Sequence, residues 1–559
     1  MSFVALRKKL AKPEPSWQLC LLGLAGAVIA SFFIILFRLC IEQLQLLYLD
    51  NVDDFNSASG LTRLLLPIVS VLFILALARI AGFRYSRMGI PFVLYRLKAA
   101  YGAIPFKNTL TQFFGGIFAL AGGFSVGREG PAVHIGAASS SWLGSKFALP
   151  QNAIRTLCAC GIAAGISASF NTPLAAVIFV MEVILREYRL HIFVPVILAS
   201  IVGSLMTHAA FGPFHEFEFF AYIVIDFWHY PILILFGIFL GCLAKTFNSS
   251  LMQVLKRTHK FHMAKRLLVA AIIMGIIGFI LPQSMGAGSS ALGLMHEQNQ
   301  EVYLILAVLV AKFIATVAVL GLGIPGGVIG PTLSIGAIAG AFIAYFVSFF
   351  YPDVNFAGDY ALLGMAGMLA ATLNAPLAAL LTVIELSNQL QLALPAMVVI
   401  TSAYLTSSQF LNNRSIFLQQ LEFQKLPYQN SPVENVLQKH GVLSHMQTDF
   451  KITVEDNPQH IKAKIAAQPG KRQLIIKRKD EQFDLVQIDL NFYPTEHDSQ
   501  SYKVLNMPAI DSQATLSEAY FALHEKREGA VYIYHKTKDN IVGLLPFDKI
   551  RAILIRGNV

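Results

Sequence analysis

Charge is what this chain lacks. Only 14% of its 559 residues are Asp, Glu, Lys or Arg, against about 25% in a typical water-soluble protein. Hydrophobic residues make up 55%, and mean hydropathy is +0.58. That balance excludes a disordered chain and a plain water-soluble enzyme. Cysteine is also scarce. The five present (Cys20, Cys40, Cys158, Cys160 and Cys242) are odd in number and all sit in apolar segments. They exclude a disulfide framework and a zinc site; Cys158 and Cys160, spaced C-x-C, read as packing residues. There is no Ser/His/Asp set, no metal-ligand motif and no P-loop, so neither an enzyme nor a cofactor is expected.

Apolar runs long enough to span a bilayer recur from Trp17 to about Phe410, which makes this a polytopic helical membrane protein. Net charge is +10 and pI near 9.2. In this context the basic excess reads as Lys and Arg gathered in cytoplasmic loops, not as a nucleic-acid surface. Residues 1–16 carry Arg7, Lys8, Lys9 and Lys12 and place the N-terminus in the cytoplasm. The apolar stretch that follows, Trp17 to about Leu47, is too long for a signal peptide. Pro131, Pro173, Pro325, Pro331 and Pro376 interrupt later segments. Such breaks are tolerated at membrane depth only where the backbone lines a cavity or is buried in protein. Lys245 to Arg266, with six basic residues, reads as a cytoplasmic loop joining two halves at about 17–245 and 267–424. His259 and His262 within it read as solvated loop histidines, not metal ligands.

After about Gln424 the composition becomes mixed and charged. Residues 474–476, 485–488, 530–534 and 541–545 read as strands, and Thr515-Leu516-Ser517-Glu518 as a capping box opening a helix. A last helix is expected near Asp548 to Ile555. Residues 425–559 therefore form an α/β domain, cytoplasmic on the topology above.

The chain repeats itself. Gly127 to Ala137 and Gly327 to Ala337 share G-x-x-G-P-x-x-x-I-G-A, 200 positions apart. A second pair follows in the same order: Asn171-Thr-Pro-Leu-Ala-Ala176 and Asn374-Ala-Pro-Leu-Ala-Ala379, each with a glutamate eleven residues past the Asn, at Glu182 and Glu385. Repeated halves with broken helices are how many transporters are built, with the site between the repeats. In each first block Gly and Pro open a helix. Pro fits the first turn, and the residues before it leave backbone N–H groups unpaired. Two such N-termini meeting at one point would bind an anion without a Lys or Arg in the pore. Helix packing alone would explain one glycine motif; a duplicated one points to a site. Glu129 lies inside the first block, where a carboxylate is expensive and usually functional. Ionised, it competes with the anion for the same N–H donors; protonated, it swings away and carries a proton. Arg128 is either its ion-pair partner or scaffold.

These residues resemble the CLC family of chloride channels and chloride/proton antiporters. Gly127-Arg128-Glu129-Gly130-Pro131 matches the family's G-R-E-G-P. Gly327-Val328-Ile329-Gly330-Pro331 matches G-x-F-x-P with Ile for Phe, and Arg87-Met88-Gly89-Ile90-Pro91 matches G-S-G-I-P with two changes. The resemblance spans about 17–424. It implies an all-α membrane domain of two repeated halves with broken helices, a homodimer in the lipid bilayer, and one anion pathway per subunit. It also implies that Glu129 is the gating glutamate, with the amides of Arg128, Glu129, Gly130, Val328, Ile329 and Gly330 cradling anions. The central site of the family adds a Ser and a Tyr hydroxyl. Here Met88 precedes Gly89 at the Ser position and Phe417 is the best match to the Tyr, so both hydroxyls are lost and anion binding is expected to weaken. The inner proton-relay glutamate of the antiporters is replaced by Val183; Glu182 beside it reads as structural, like its repeat partner Glu385.

Residues 425–559 resemble the CBS pair of many CLC proteins. At Gly543 to Lys549, Pro546 replaces the usual hydroxyl residue and Lys549 the usual Asp, with Asp548 one place early, so strong ATP binding is not expected. The resulting expectation is a chloride or small-anion pathway in a bacterial inner membrane, both termini cytoplasmic, working as a channel or a weakly proton-coupled exchanger. Two rivals stand beside it. One is a fluoride/proton antiporter, favoured by Met88 and Val183 but opposed by the CBS pair and the missing Tyr. The other is a non-conducting membrane sensor reading nucleotides through the CBS pair, opposed by Pro546, Lys549 and an intact Glu129.

Overall fold

The computed structural model describes residues 3–82, 89–212, 227–288, 302–350, 355–426, 431–454, 473–478, 483–488 and 502–556. It divides into two units: residues 19–143 with 155–428, and residues 1–18 with 144–154 and 429–559.

The larger unit is helical. Among the described residues nine helices are long and apolar enough to cross a membrane, and the shorter apolar helices Pro173–Leu185, Ala357–Leu373 and Pro376–Ser387 lie between them. The elements that build the site are α4 (Gly89–Ala99), α5 (Phe106–Ala121), α6 (Glu129–Lys146), α7 (Gln151–Phe170) and α8 (Pro173–Phe179) with a π-helical turn at Val180–Leu185. In the second half they are α12 (Val302–Leu322), α13 (Ile329–Val347), α14 (Ala357–Leu373), α15 (Pro376–Ser387) and α17 (Ile416–Phe423). Pro173 and Pro376 open α8 and α15 from the first turn, where a missing N–H costs nothing.

The two halves are packed by the same device. A Cβ at Gly136 of α6 would run into the Gly161 carbonyl of α7, and one at Gly336 of α13 into the Gly364 carbonyl of α14. Backbones this close need small residues. The halves also clasp each other. The Glu385 carboxylate accepts from Leu174 N at 2.9 Å and Ala175 N at 2.7 Å, at the start of α8. The Glu182 carboxylate accepts from Leu377 N at 3.3 Å and Ala378 N at 2.7 Å, at the start of α15. Each repeat thus caps a helix of the other, a reciprocity that only a two-fold relation produces.

The basic stretch from Lys245 to Arg266 is not a loop. Helix α10 (Tyr230–Thr258) runs through most of it, and α11 (Met263–Ile280) begins after residues 259–262. Phe247, Leu251 and Leu255 recur every four residues and are buried with Asn248, so the apolar period outweighs the charge. Asn248 Nδ2 donates to Thr372 O at 3.1 Å. His262 caps α11, and His259 Nδ1 bonds to Lys256 O at 2.8 Å.

In the other unit, β1 (Phe450–Thr453), β2 (Gln473–Lys477), β3 (Phe483–Ile488) and β4 (Tyr502–Asn506) form one sheet, and β5 (Ala509–Asp511), β6 (Ala530–His535) and β7 (Thr537–Pro546) another. In both sheets a parallel pair is followed by an antiparallel one, β1–β2–β3 and β5–β6–β7, so this unit too contains a tandem pattern. The expected strands, capping box and last helix are present: Thr515 N donates to Glu518 Oε2 at 3.2 Å, and the final helix is Phe547–Arg556. What composition did not reveal is that helix α1 (Phe3–Leu10) and the α6–α7 connection belong here. Arg7 donates to Phe147 O at 2.9 Å, Gly441 N to Ala11 O at 2.8 Å and Gln151 N to Gln513 O at 2.9 Å.

Candidate functional site

The two repeated blocks meet at equivalent residues. Gly127 N donates to Gly327 O at 2.8 Å, and Gly327 N donates back to Gly127 O at 2.7 Å. This isolated antiparallel bridge sets the local two-fold, and α6 and α13 start two residues beyond it. Two helix N-termini, each with free N–H groups and a positive dipole end, are therefore brought side by side. The glycines are required by contact distance. A Cβ at Gly130 would fall 2.9 Å from the Gly326 carbonyl oxygen, and one at Gly330 would fall 2.9 Å from Glu129 Oε1.

Glu129 is the first residue of α6 and is 4% exposed. Its carboxylate reaches the helix start of the second repeat, where it lies against Gly327 and Gly330. Among the described residues Oε2 has no hydrogen-bond partner. The side chain faces a mainly apolar cavity walled by Phe170, Phe179, Ile329 and Leu333, among others. The next residue, Gly130, lines a different cavity together with Gly89, Gly327, Val328 and Phe417. Glu129 thus stands where the two cavities approach each other.

The second cavity is suited to anions. Among the described residues lining it there is no carboxylate, while Arg266 contributes a buried cation whose Nε donates to Leu322 O at 3.0 Å. The N-terminus of a third helix, α4, enters through Gly89, whose φ of +74° suits glycine. Phe417, 3% exposed on α17, brings a ring without a hydroxyl.

The sequence-derived site residues are therefore divided. Gly89, Gly130, Val328 and Phe417 share one cavity; Glu129 and Ile329 share the other; Gly330 lies against the Glu129 carboxylate. The Arg128 guanidinium lies 4.5 Å over the Phe170 ring, a cation–π contact. Met88 lies outside the described residues. Val183 sits in the π-helical turn after α8, buried in the apolar core. Sequence reasoning missed Arg266 as a cavity residue and did not single out Gln112, which lines the same cavity from α5.

Comparison with known families matches residues 69–408 to the family described as Voltage gated chloride channel. The chain is 31% identical over 321 residues to the H(+)/Cl(-) exchange transporter ClcA of Salmonella agona, covering 55% of this chain and 67% of that protein. The crystal structure of a eukaryotic CLC transporter is similar at 19% identity, with a TM-score of 0.60 and coverage of 98% of this chain and 99% of that one. A CLC-type fluoride/proton antiporter structure is similar at 22% identity, with a TM-score of 0.62 and coverage of 73% and 99%. These two structural likenesses speak to fold.

Proposed function

The chain belongs to the voltage gated chloride channel family, and on that premise we propose that it carries chloride or another small anion across the membrane, with Glu129 as the gate. The observation that carries this reading is one buried carboxylate lying against two meeting helix N-termini, with Glu129 lining one cavity and Gly130 the other. Ionised, Glu129 occupies the donors an anion would use. Protonation or an outward rotation frees them, so opening and anion entry are one competition. The acid-free cavity with Arg266 in its wall raises local anion concentration.

The proton side of the reading rests on Val183. An apolar side chain buried in apolar surroundings can neither hold nor pass a proton, which favours a channel or a weakly coupled exchanger. The tandem strand pattern of the other unit supports its reading as a CBS pair, one in which Pro546 ends β7 and strong ATP binding is not expected. A homodimer follows from family membership alone.

The test is flux in liposomes holding the purified protein. A chloride gradient, then a fluoride gradient, is imposed with the membrane potential clamped by valinomycin, and internal pH is followed. Chloride flux without uphill protons supports the reading. Uphill protons with chloride would overturn the role given to Val183. Proton-coupled flux with fluoride alone would promote the fluoride/proton antiporter, which Met88 and Val183 also fit. No anion flux would overturn the reading altogether.

A further inference from the structure

The wall of the cavity shared by Gly89, Gly130 and Phe417 carries a side-chain donor that nothing else among the described residues uses. Gln112 on α5 is fully buried and lines the cavity with Gly89, Gly130, Gly327 and Val328. Its Oε1 accepts from Gly89 N at 2.9 Å. That bond fixes the amide's orientation, because a backbone N–H is a donor and only the oxygen can face it. Nε2 is then left with two N–H groups, and it is buried without a hydrogen-bond partner among the described residues. Leaving a buried donor unmade costs its full desolvation penalty, so the arrangement is explicable if a ligand completes it. An acceptor without protons of its own suits a site that otherwise offers backbone N–H groups and a cation.

The repeat supplies a contrast. Counting 200 positions from the first block, Gln112 corresponds to Lys312, also fully buried. Lys312 Nζ donates to the carbonyls of Ser284, Met285 and Gly286 at 3.2, 3.2 and 2.7 Å. At the same place in the fold one repeat spends its donors on backbone carbonyls. The other turns an acceptor to a backbone N–H and keeps its donors in the cavity wall.

We infer that Gln112 is a side-chain ligand of the permeating anion, its Nε2–H group supplying a hydrogen bond that the Phe417 ring in the same wall cannot. The inference rests on the anion-transport reading above and names a residue of that same site.

The experiment measures anion flux in liposomes as a function of chloride concentration, for the full-length protein and three variants whose folding is checked by thermal unfolding. Gln112→Met removes both the donor and the contact to Gly89. Gln112→Glu, assayed at alkaline pH, keeps an acceptor for Gly89 N but offers no donor. Gln112→Lys restores donors and loses the acceptor. A ligand role predicts half-saturation raised about ten- to a hundredfold in Met and Glu, the worth of one hydrogen bond to a charged group, and not raised in Lys. If Glu behaves as the unsubstituted protein while Met and Lys are both impaired, Gln112 only positions Gly89 and the inference falls. It falls equally if all three match the unsubstituted protein. Should Gln112→Met not fold, the neutral pair Gln112→Ser, which keeps a donor, and Gln112→Ala, which has none, decides in its place, because Glu and Lys also change the charge of the cavity. If the unsubstituted protein moves no anion at all, the transport reading has failed first.

Discussion

Glu182 stands immediately before Val183, where a proton relay would be sought, so its role needs a decisive perturbation. The geometry assigns it to capping. Its carboxylate takes two N–H bonds at the start of α15, and Glu385 takes two at the start of α8. Removing either by Glu→Ala strands two N–H groups. Two bonds to a charged acceptor are worth about 3–6 kcal/mol together. Both carboxylates are only half buried, and part of that returns as other partners reach the helix end, bringing the loss to the upper end of the N-cap scale, about 2 kcal/mol. Glu→Gln keeps one carbonyl oxygen and should lose about half as much. Because the two caps are two-fold mates, Glu182→Ala and Glu385→Ala should lower the Tm of the purified protein by similar amounts, roughly 2 °C for a chain of this length. Neither should create or abolish proton coupling in the liposome assay. If Glu182→Ala leaves Tm unchanged and alters proton movement while Glu385→Ala does not, Glu182 is a relay and the capping argument is refuted.

Other consequences can be checked separately. Glu129→Gln removes the titrating competitor for the anion's donors, and flux should lose its pH dependence; an unchanged pH profile would remove Glu129 from the gate. Met88→Ser adds one hydroxyl donor beside Gly89, and calorimetry should find chloride bound about five- to tenfold more tightly, with no change counting against a hydroxyl-poor site. In the strand-containing unit, His445 is pushed down to about 4 by burial, with His440, Lys549 and Lys12 adding to the shift; its Nε2 lies 3.1 Å from His440 Nδ1. It is neutral when folded, whereas the unfolded chain binds a proton near pH 6.5. The stability tied to it is therefore intact above about pH 6.5 and is lost as pH falls toward 4. His445→Gln should flatten the fall in Tm over that range; an unaltered slope would contradict this. ATP added to the protein should leave the unfolding of this unit unmoved, and a clear upward shift would overturn the reading of Pro546 and Lys549.

What was legible in the sequence follows from what forces residue identity. Gly130 and Gly327 pack against facing backbone atoms that a Cβ would strike, so the blocks stand out and locate the site. Pro173 and Pro376 mark helix starts for an equally local reason. The α10 helix was obscured because its lysines and arginines drew attention away from Phe247, Leu251 and Leu255. Gln112 and Arg266 left no signal, since a polar residue on an apolar helix or a cation at a helix start acquires its meaning only from residues far along the chain. The association of α1 and residues 144–154 with the C-terminal strands was hidden likewise, being carried by backbone carbonyls such as those of Ala11 and Phe147.

The repeat also explains how one cradle acquires a direction of use. Its backbone is two-fold: Gly127 against Gly327, two helix starts, two reciprocal caps. Its side chains are not. Across the 200-residue offset Arg128 corresponds to Val328, Glu129 to Ile329 and Gln112 to Lys312. Glu129 and Ile329 line one cavity together, so a titratable group and an inert one occupy equivalent posts in a single wall. A fully symmetric cradle of two glutamates would place two like charges on the same few donors and exclude anions by repulsion. A cradle with none would hold the anion with nothing to displace it. One carboxylate between two N-termini is the arrangement that lets the same donors be occupied by protein or by anion in turn. On the proposed reading, the broken symmetry at these three positions, more than the duplicated glycines, is what would turn an anion-binding backbone into a gated one.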